Sequence, residues 1–168
     1  MGLTIYQKSV YLIILNSTMI LRSIGKSFQK DKNRLQKFKV EAFNKIMVLT
    51  DKMDRGELTE KDIEEAIDNL SEEFGISIGQ SQKPINVILK YHFYLTRNNN
   101  KNIEETLHCP VDSTVLGQLK EGRTSLSRID KGKYLEIQYK IKQKCNPRIK
   151  FDDSWDEQNL RKAGIPIV

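Results

Sequence analysis

Cysteine is scarce in this chain: Cys109 and Cys145 are its only two. Two thiols make no disulfide framework, and 168 residues can bury a core without one, so a reducing, cytoplasmic setting is the simplest expectation. Long apolar runs are also missing. Val10 to Leu15, extended by Met19 to Leu21, is broken by Asn16, Ser17 and Thr18, far short of the ~20 residues a bilayer span needs. Lys8 ahead of that run is followed by no small-residue cleavage pattern, so neither a leader nor a membrane partner is expected. No segment alternates with period two and no repeat recurs, which excludes sheet and solenoid architectures. Acid is the scarcer charge. With 22 Asp+Glu against 28 Lys+Arg the net charge is +6, which leans toward a polyanionic partner, DNA first.

What the chain does have is helical spacing, and the expected fold is all-α, a single compact helical domain over residues 1–168. Residues 4–23 place Tyr6, Val10, Ile13, Ile14, Ser17 and Leu21 at helical intervals with apolar neighbours around most of the circumference, which predicts a central, buried helix. The basic segment 26–39 follows, with Lys26, Lys30, Lys32, Arg34, Lys37 and Lys39 as a solvated helix start or a phosphate-facing patch. A second helix is predicted over 38–53 and a third over 60–73, capped by Thr59 with Asp62 as its reciprocal partner and stopped by Gly75. Asp51, Gly56, Leu58, Thr59 and Asp62 imitate a calcium loop, but Met53 and Arg55 stand at ligand positions and calcium is rejected.

Ser77 to Ser81 reads as a tight connection, and Pro84 as the first turn of a helix running from Lys83 to Leu95. Lys83, Asn86, Lys90 and Arg97 share one face of that helix. Asn98 to Asn102 is a loop, Asp112 and Ser113 cap a helix over 114–120, and a last long helix covers 126–142. The tail from Cys145 holds at most one short helix, with Phe151 and Trp155 closing the core.

Residues 57–120 form the core motif, and residues 126–168 close over it. Within it, GQSQKPINVILKY and HCPVDSTVL resemble the helix-hairpin-helix DNA glycosylase superfamily. The 29 residues between Lys83 and Asp112 look like the archaeal 8-oxoguanine glycosylase branch. Small bacterial and phage proteins with a QKxxNxxLKY helix and an H-x-P-x-D motif are similar as well. The resemblance implies a glycine hairpin that grips a DNA phosphate, a lysine that attacks C1′ of a flipped nucleoside, and an aspartate that caps a helix and assists. Carried over, Lys83 and Asp112 are the catalytic pair, with Lys90 as the alternative amine. Gly79, Gln80, Ser81, Gln82, Asn86, Lys90 and His108 line the nucleic-acid or anion site. Ser77 stands where the hairpin pattern has its first glycine, and Lys83 follows Gly79 by four residues rather than two.

Residue chemistry bears on the same positions. A neighbouring cation favours a neutral amine at Lys83, and backbone N–H groups at a helix start suit an anion. Asn86 is polar on an apolar helix and is read as pinning the neighbouring loop, and His108 as lining the pocket or capping a carbonyl. His92, His108, Cys109 and Cys145 lack the spacing of a compact zinc site, so no metal or cofactor is expected. The function implied is a nucleic-acid-binding protein with base-excision or lyase chemistry. The alternative is a non-catalytic helical protein of a phage or mobile element that uses the scaffold for a protein or nucleotide partner.

Overall fold

The computed structural model describes residues 3–17, 24, 27–28, 31–122 and 124–166, the side chains of 154 and 155 aside. Among the described residues there are eight α-helices, two short 3-10 turns and no strand. Side-chain caps set most of the boundaries. Thr59 and Asp62 exchange bonds of 3.2 and 3.0 Å as a capping box that opens α3 (Glu60–Phe74). Gly75, left-handed at φ 56°, closes it. Its apolar stripe, Ile63, Ala66, Ile67 and Leu70, is buried as the spacing predicts.

The central helix is α4 (Ile78–Leu95), fifteen of whose eighteen residues are buried. It packs on α1 (Ile5–Leu15), α2 (Lys32–Asp54), α3, the 3-10 turn Leu126–Arg128 and α7 (Lys131–Lys144). Two expectations are corrected here. The helix begins at Ile78, because Ser77 and Gln80 form a capping box, so Ser77 to Ser81 is no tight connection and Pro84 lies inside the helix. The buried central helix is also not the N-terminal one. In α1 only Tyr11 and Leu15 are buried, while Ile5, Tyr6 and Ile13 are 70–81% exposed, because α1 lies at the edge of the bundle. Residues 18–23 lie outside the described residues.

Smaller differences have local causes. α2 starts at Lys32 rather than Phe38, since Asp31 accepts from the Arg34 amide at 2.9 Å. Asn100 caps a short α5 (Lys101–Thr106) where a loop is predicted. Asp112 caps α6 (Ser113–Gln118). The long 126–142 helix is split, because Asp130 caps a new start at Lys131. After α7 come the 3-10 turn Arg148–Lys150 and α8 (Asp153–Lys162), the one short helix expected of the tail. Phe151 packs half-buried on the core, while the Trp155 side chain is outside the described set.

Gly79 is the point of closest approach between α4 and the turn that follows α6. Its N–H donates to the Ile129 carbonyl at 3.1 Å, and a Cβ there would stand 2.3 Å from the Leu126 carbonyl oxygen and 2.8 Å from Ile129 Cβ. The obstacle is backbone, so relief requires α4 to move. Gly79→Ala is therefore expected to lower unfolding stability by about 2–3 kcal/mol in urea denaturation, at the upper end of overpacking costs. A loss under about 0.5 kcal/mol would mean that this contact is loose.

Candidate amine–carboxylate site

The HCPVD loop is held by two buried glutamines that read its backbone. Gln82, on α4, donates to the Val111 carbonyl at 2.7 Å and accepts from the Val111 amide at 3.2 Å. Gln138, on α7, does the same at Cys109, donating at 2.8 Å and accepting at 3.0 Å. Gln82 also accepts from Asn86 Nδ2 at 2.9 Å, and Asn86 donates to Tyr134 Oη at 2.8 Å. Tyr134 Oη in turn lies 2.7 Å from His108 Nδ1. The chain Val111, Gln82, Asn86, Tyr134, His108 thus fixes the loop from inside the bundle.

That clamp aims Asp112. Its Oδ1 accepts from the Thr114 and Val115 amides at 2.9 and 3.0 Å, which caps α6 and leaves Oδ2 turned to Lys83. Lys83 Nζ is 3.9 Å from Oδ2, with the lysine side chain 10% exposed. The two residues the resemblance singles out, 29 apart in sequence, therefore face one cleft. Val87, Lys90, Tyr91, Pro110, Asp152 and Asp156 complete its lining, and its volume is about 30 Å³. That is room for water and far too little for a nucleobase.

Lys90 has a different role from the one expected. Its ammonium is 2.6 Å from Asp152, 2.9 Å from Asp153 and 3.0 Å from Asp156, at the start of α8. Burial opposes its charge, but the three carboxylates outweigh burial and raise its pKa well above the ordinary lysine value. Lys90 is thus fixed as an ammonium and is no alternative nucleophile at rest. Two ammonium groups, Lys83 and Lys90, face four carboxylates, Asp112, Asp152, Asp153 and Asp156, so the closed cleft is acidic.

Burial, with repulsion from Asp156 and Asp153, pushes the Asp152 carboxyl up to about 6 against the pull of Lys90. A carboxyl raised above its unfolded value binds its proton more tightly in the folded state. Its contribution is complete below the unfolded value and is lost as pH rises through about 6. No described side chain of α8 is buried, so the effect falls on the docking of that helix. Amide exchange in residues 153–162 is expected to be slower at pH 5 than at pH 7.5 after correction for intrinsic rates, and the Asp152→Asn variant to lose this difference. Equal protection at both pH values would contradict the assignment.

The remaining expected anion-site residues serve the scaffold. The Gly79 N–H is taken by Ile129, the Gln80 N–H by Ser77 Oγ at 3.2 Å, and Gln80 Nε2 by Ser27 Oγ at 3.0 Å. Ser81 Oγ donates to the Ser77 and Ile78 carbonyls, both at 3.2 Å. The donors assigned to a phosphate grip are thus occupied internally. Asn86 holds Gln82 and Tyr134 rather than the loop itself, and His108 bonds a phenol rather than a backbone carbonyl.

On the basic segment, Lys32 and Lys37 are exposed, whereas Arg34 donates to the Phe74 carbonyl at 2.5 Å and stacks over Phe28. Lys26 and Lys30 lie outside the described residues. The His/Cys zinc set considered from sequence is not assembled: His92 sits between Tyr11 and Asp54, 2.7 Å from the latter. A different set, Glu60, Glu64 and His108, is brought together. Gln138 and the α8 aspartates escaped sequence reasoning, since only long-range contact gives them their roles.

No protein-family model, curated protein or solved structure matches the chain.

Proposed function

We propose that this is a nucleic-acid-binding protein of the helix-hairpin-helix glycosylase type, in which Lys83 and Asp112 carry base-excision chemistry. The observation that carries the reading is the 3.9 Å approach of the Lys83 ammonium to an Asp112 carboxylate held by a helix N-terminus. In such chemistry the amine, once deprotonated, forms a bond to C1′ as the bond to the base breaks. The base leaves with a proton, and opening of the sugar gives a lysine imine. Asp112, held in place by the α6 amides, would stabilise positive charge developing on the sugar. The cleft admits a nucleotide only once α8 swings off Lys90. That movement would expose a second ammonium beside the first.

The second reading is a non-catalytic binding protein on the same scaffold. The acidic lining of the closed cleft and the occupied donors of the 75–82 turn favour it. The first reading places nucleic acid on the exposed lysines of α2, whereas the second calls for a protein or nucleotide partner. Fluorescence anisotropy with single-stranded and duplex DNA, between about 50 and about 200 mM salt, tests the first. Binding is expected to weaken steeply with salt, and Lys32→Gln and Lys37→Gln each to reduce the log–log slope by about 1. Absence of salt-sensitive binding would refute the nucleic-acid reading.

A further inference from the structure

Glu60 and Glu64 stand one turn apart on α3, so their carboxylates leave the same face of the helix. His108, delivered by the clamped loop, points Nε2 at them. That nitrogen is 3.7 Å from Glu60 Oε2, too far for a hydrogen bond, and the ligating atoms of all three residues lie within 4.8 Å of one another. The His108 side chain is 1% exposed, and Nε2 has no hydrogen-bond partner. A buried, unpaired imidazole nitrogen is costly and rare in native proteins, and here it faces two carboxylates open to solvent on one side.

We propose that Glu60, Glu64 and His108 bind one divalent first-row transition-metal ion, Mn²⁺ or Zn²⁺. One imidazole with two carboxylates is a ligand set for these ions rather than for calcium or magnesium, which take oxygen alone. Two carboxylates balance the charge of the ion, and the imidazole ligates through its unprotonated nitrogen. Three protein ligands leave a coordination position for water or a substrate oxygen.

The surroundings provide support for each ligand. Arg148 holds Glu60 by both oxygens, Nη2 donating to Oε1 at 2.7 Å and Nη1 to Oε2 at 3.4 Å, which orients the carboxylate; the longer bond is the one an ion at Oε2 would displace. Arg148 is itself anchored by the Glu105 and Thr106 carbonyls at 3.2 and 3.0 Å. Two features oppose ligation and limit affinity. Lys142 Nζ lies 3.9 Å from Glu60 Oε1, adding positive charge beside that of Arg148. Tyr134 Oη already accepts from Asn86 and lies 2.7 Å from His108 Nδ1, so ligation through Nε2, which puts the imidazole proton on Nδ1, makes that oxygen accept twice and turns the phenol proton away from His108.

The test is Mn²⁺ titration of the full chain, followed by the EPR signal of the free ion. Manganese avoids the two thiols, which zinc would also seek. One saturable site per chain is expected, weakened at least tenfold in Glu64→Gln and unchanged in Glu65→Gln, its exposed neighbour. Glu64 forms no ion pair among the described residues, so its variant should fold even where His108→Gln does not. Absence of saturable binding, or equal affinity in wild type and Glu64→Gln, would overturn the assignment. So would an equal loss in Glu65→Gln. DNA binding is measured separately on Lys32 and Lys37, so neither result decides the other.

Discussion

Replacing Gln82 by leucine is expected to lower the unfolding free energy by about 3–5 kcal/mol, the largest stability effect of any single substitution considered. The side chain is fully buried and makes four hydrogen bonds, to the Gly79 carbonyl, to both backbone groups of Val111, and to Asn86. Leucine has similar bulk and restores none of them. The Val111 N–H and C=O and one N–H of the Asn86 amide, whose other bond goes to Tyr134, would be left dry and unpaired, at about 1–3 kcal/mol for each group. Partial relaxation of the loop keeps the total below the sum. Urea unfolding of the two proteins measures this, and a loss under about 1 kcal/mol would mean that the loop finds other partners. Because Val111 precedes Asp112, the same substitution should also release the carboxylate from Lys83.

The behaviour of Gln82 explains which parts of this molecule could be read from its sequence. Local signals were legible. The Thr59–Asp62 capping box, the Gly75 stop, the Asp112 cap and the apolar stripe of α3 are all set by residues within a turn or two of one another. The α4 start was legible too, since Ser77 and Gln80 have capping-box spacing, but Pro84 suggested a later first turn. What could not be read was burial decided by distant partners. Helix α1 is apolar and largely exposed, whereas α4 buries Gln80, Ser81, Gln82, Asn86 and Lys90. Those polar groups are tolerated inside because Val111, Tyr134 and the α8 aspartates meet them, at separations of 29, 48 and about 62 residues.

The candidate site divides in the same way. Lys83 and Asp112 were singled out by resemblance, and they face each other in the folded chain. The cover over them was not foreseen. Lys90 looked like a spare amine, yet it is the anchor for the acidic start of α8. On the proposed reading, nucleotide entry requires those three ion pairs to break. Salt, a competing polyanion or loss of Lys90 would each favour that opening.

The second large effect is an all-or-none one, on covalent capture. Lys83 is the amine that the fold sets 3.9 Å from Asp112, so on the proposed reading removing it should remove the imine altogether rather than slow its formation. The deciding measurement is borohydride trapping of the full chain with DNA containing an abasic site. Wild type is expected to give a protein–DNA adduct that Lys83→Gln does not form. Lys90→Gln should retain it and raise its yield, because α8 loses its anchor. No adduct from wild type, or an adduct that persists in Lys83→Gln, would contradict the assignment of Lys83 as the nucleophile.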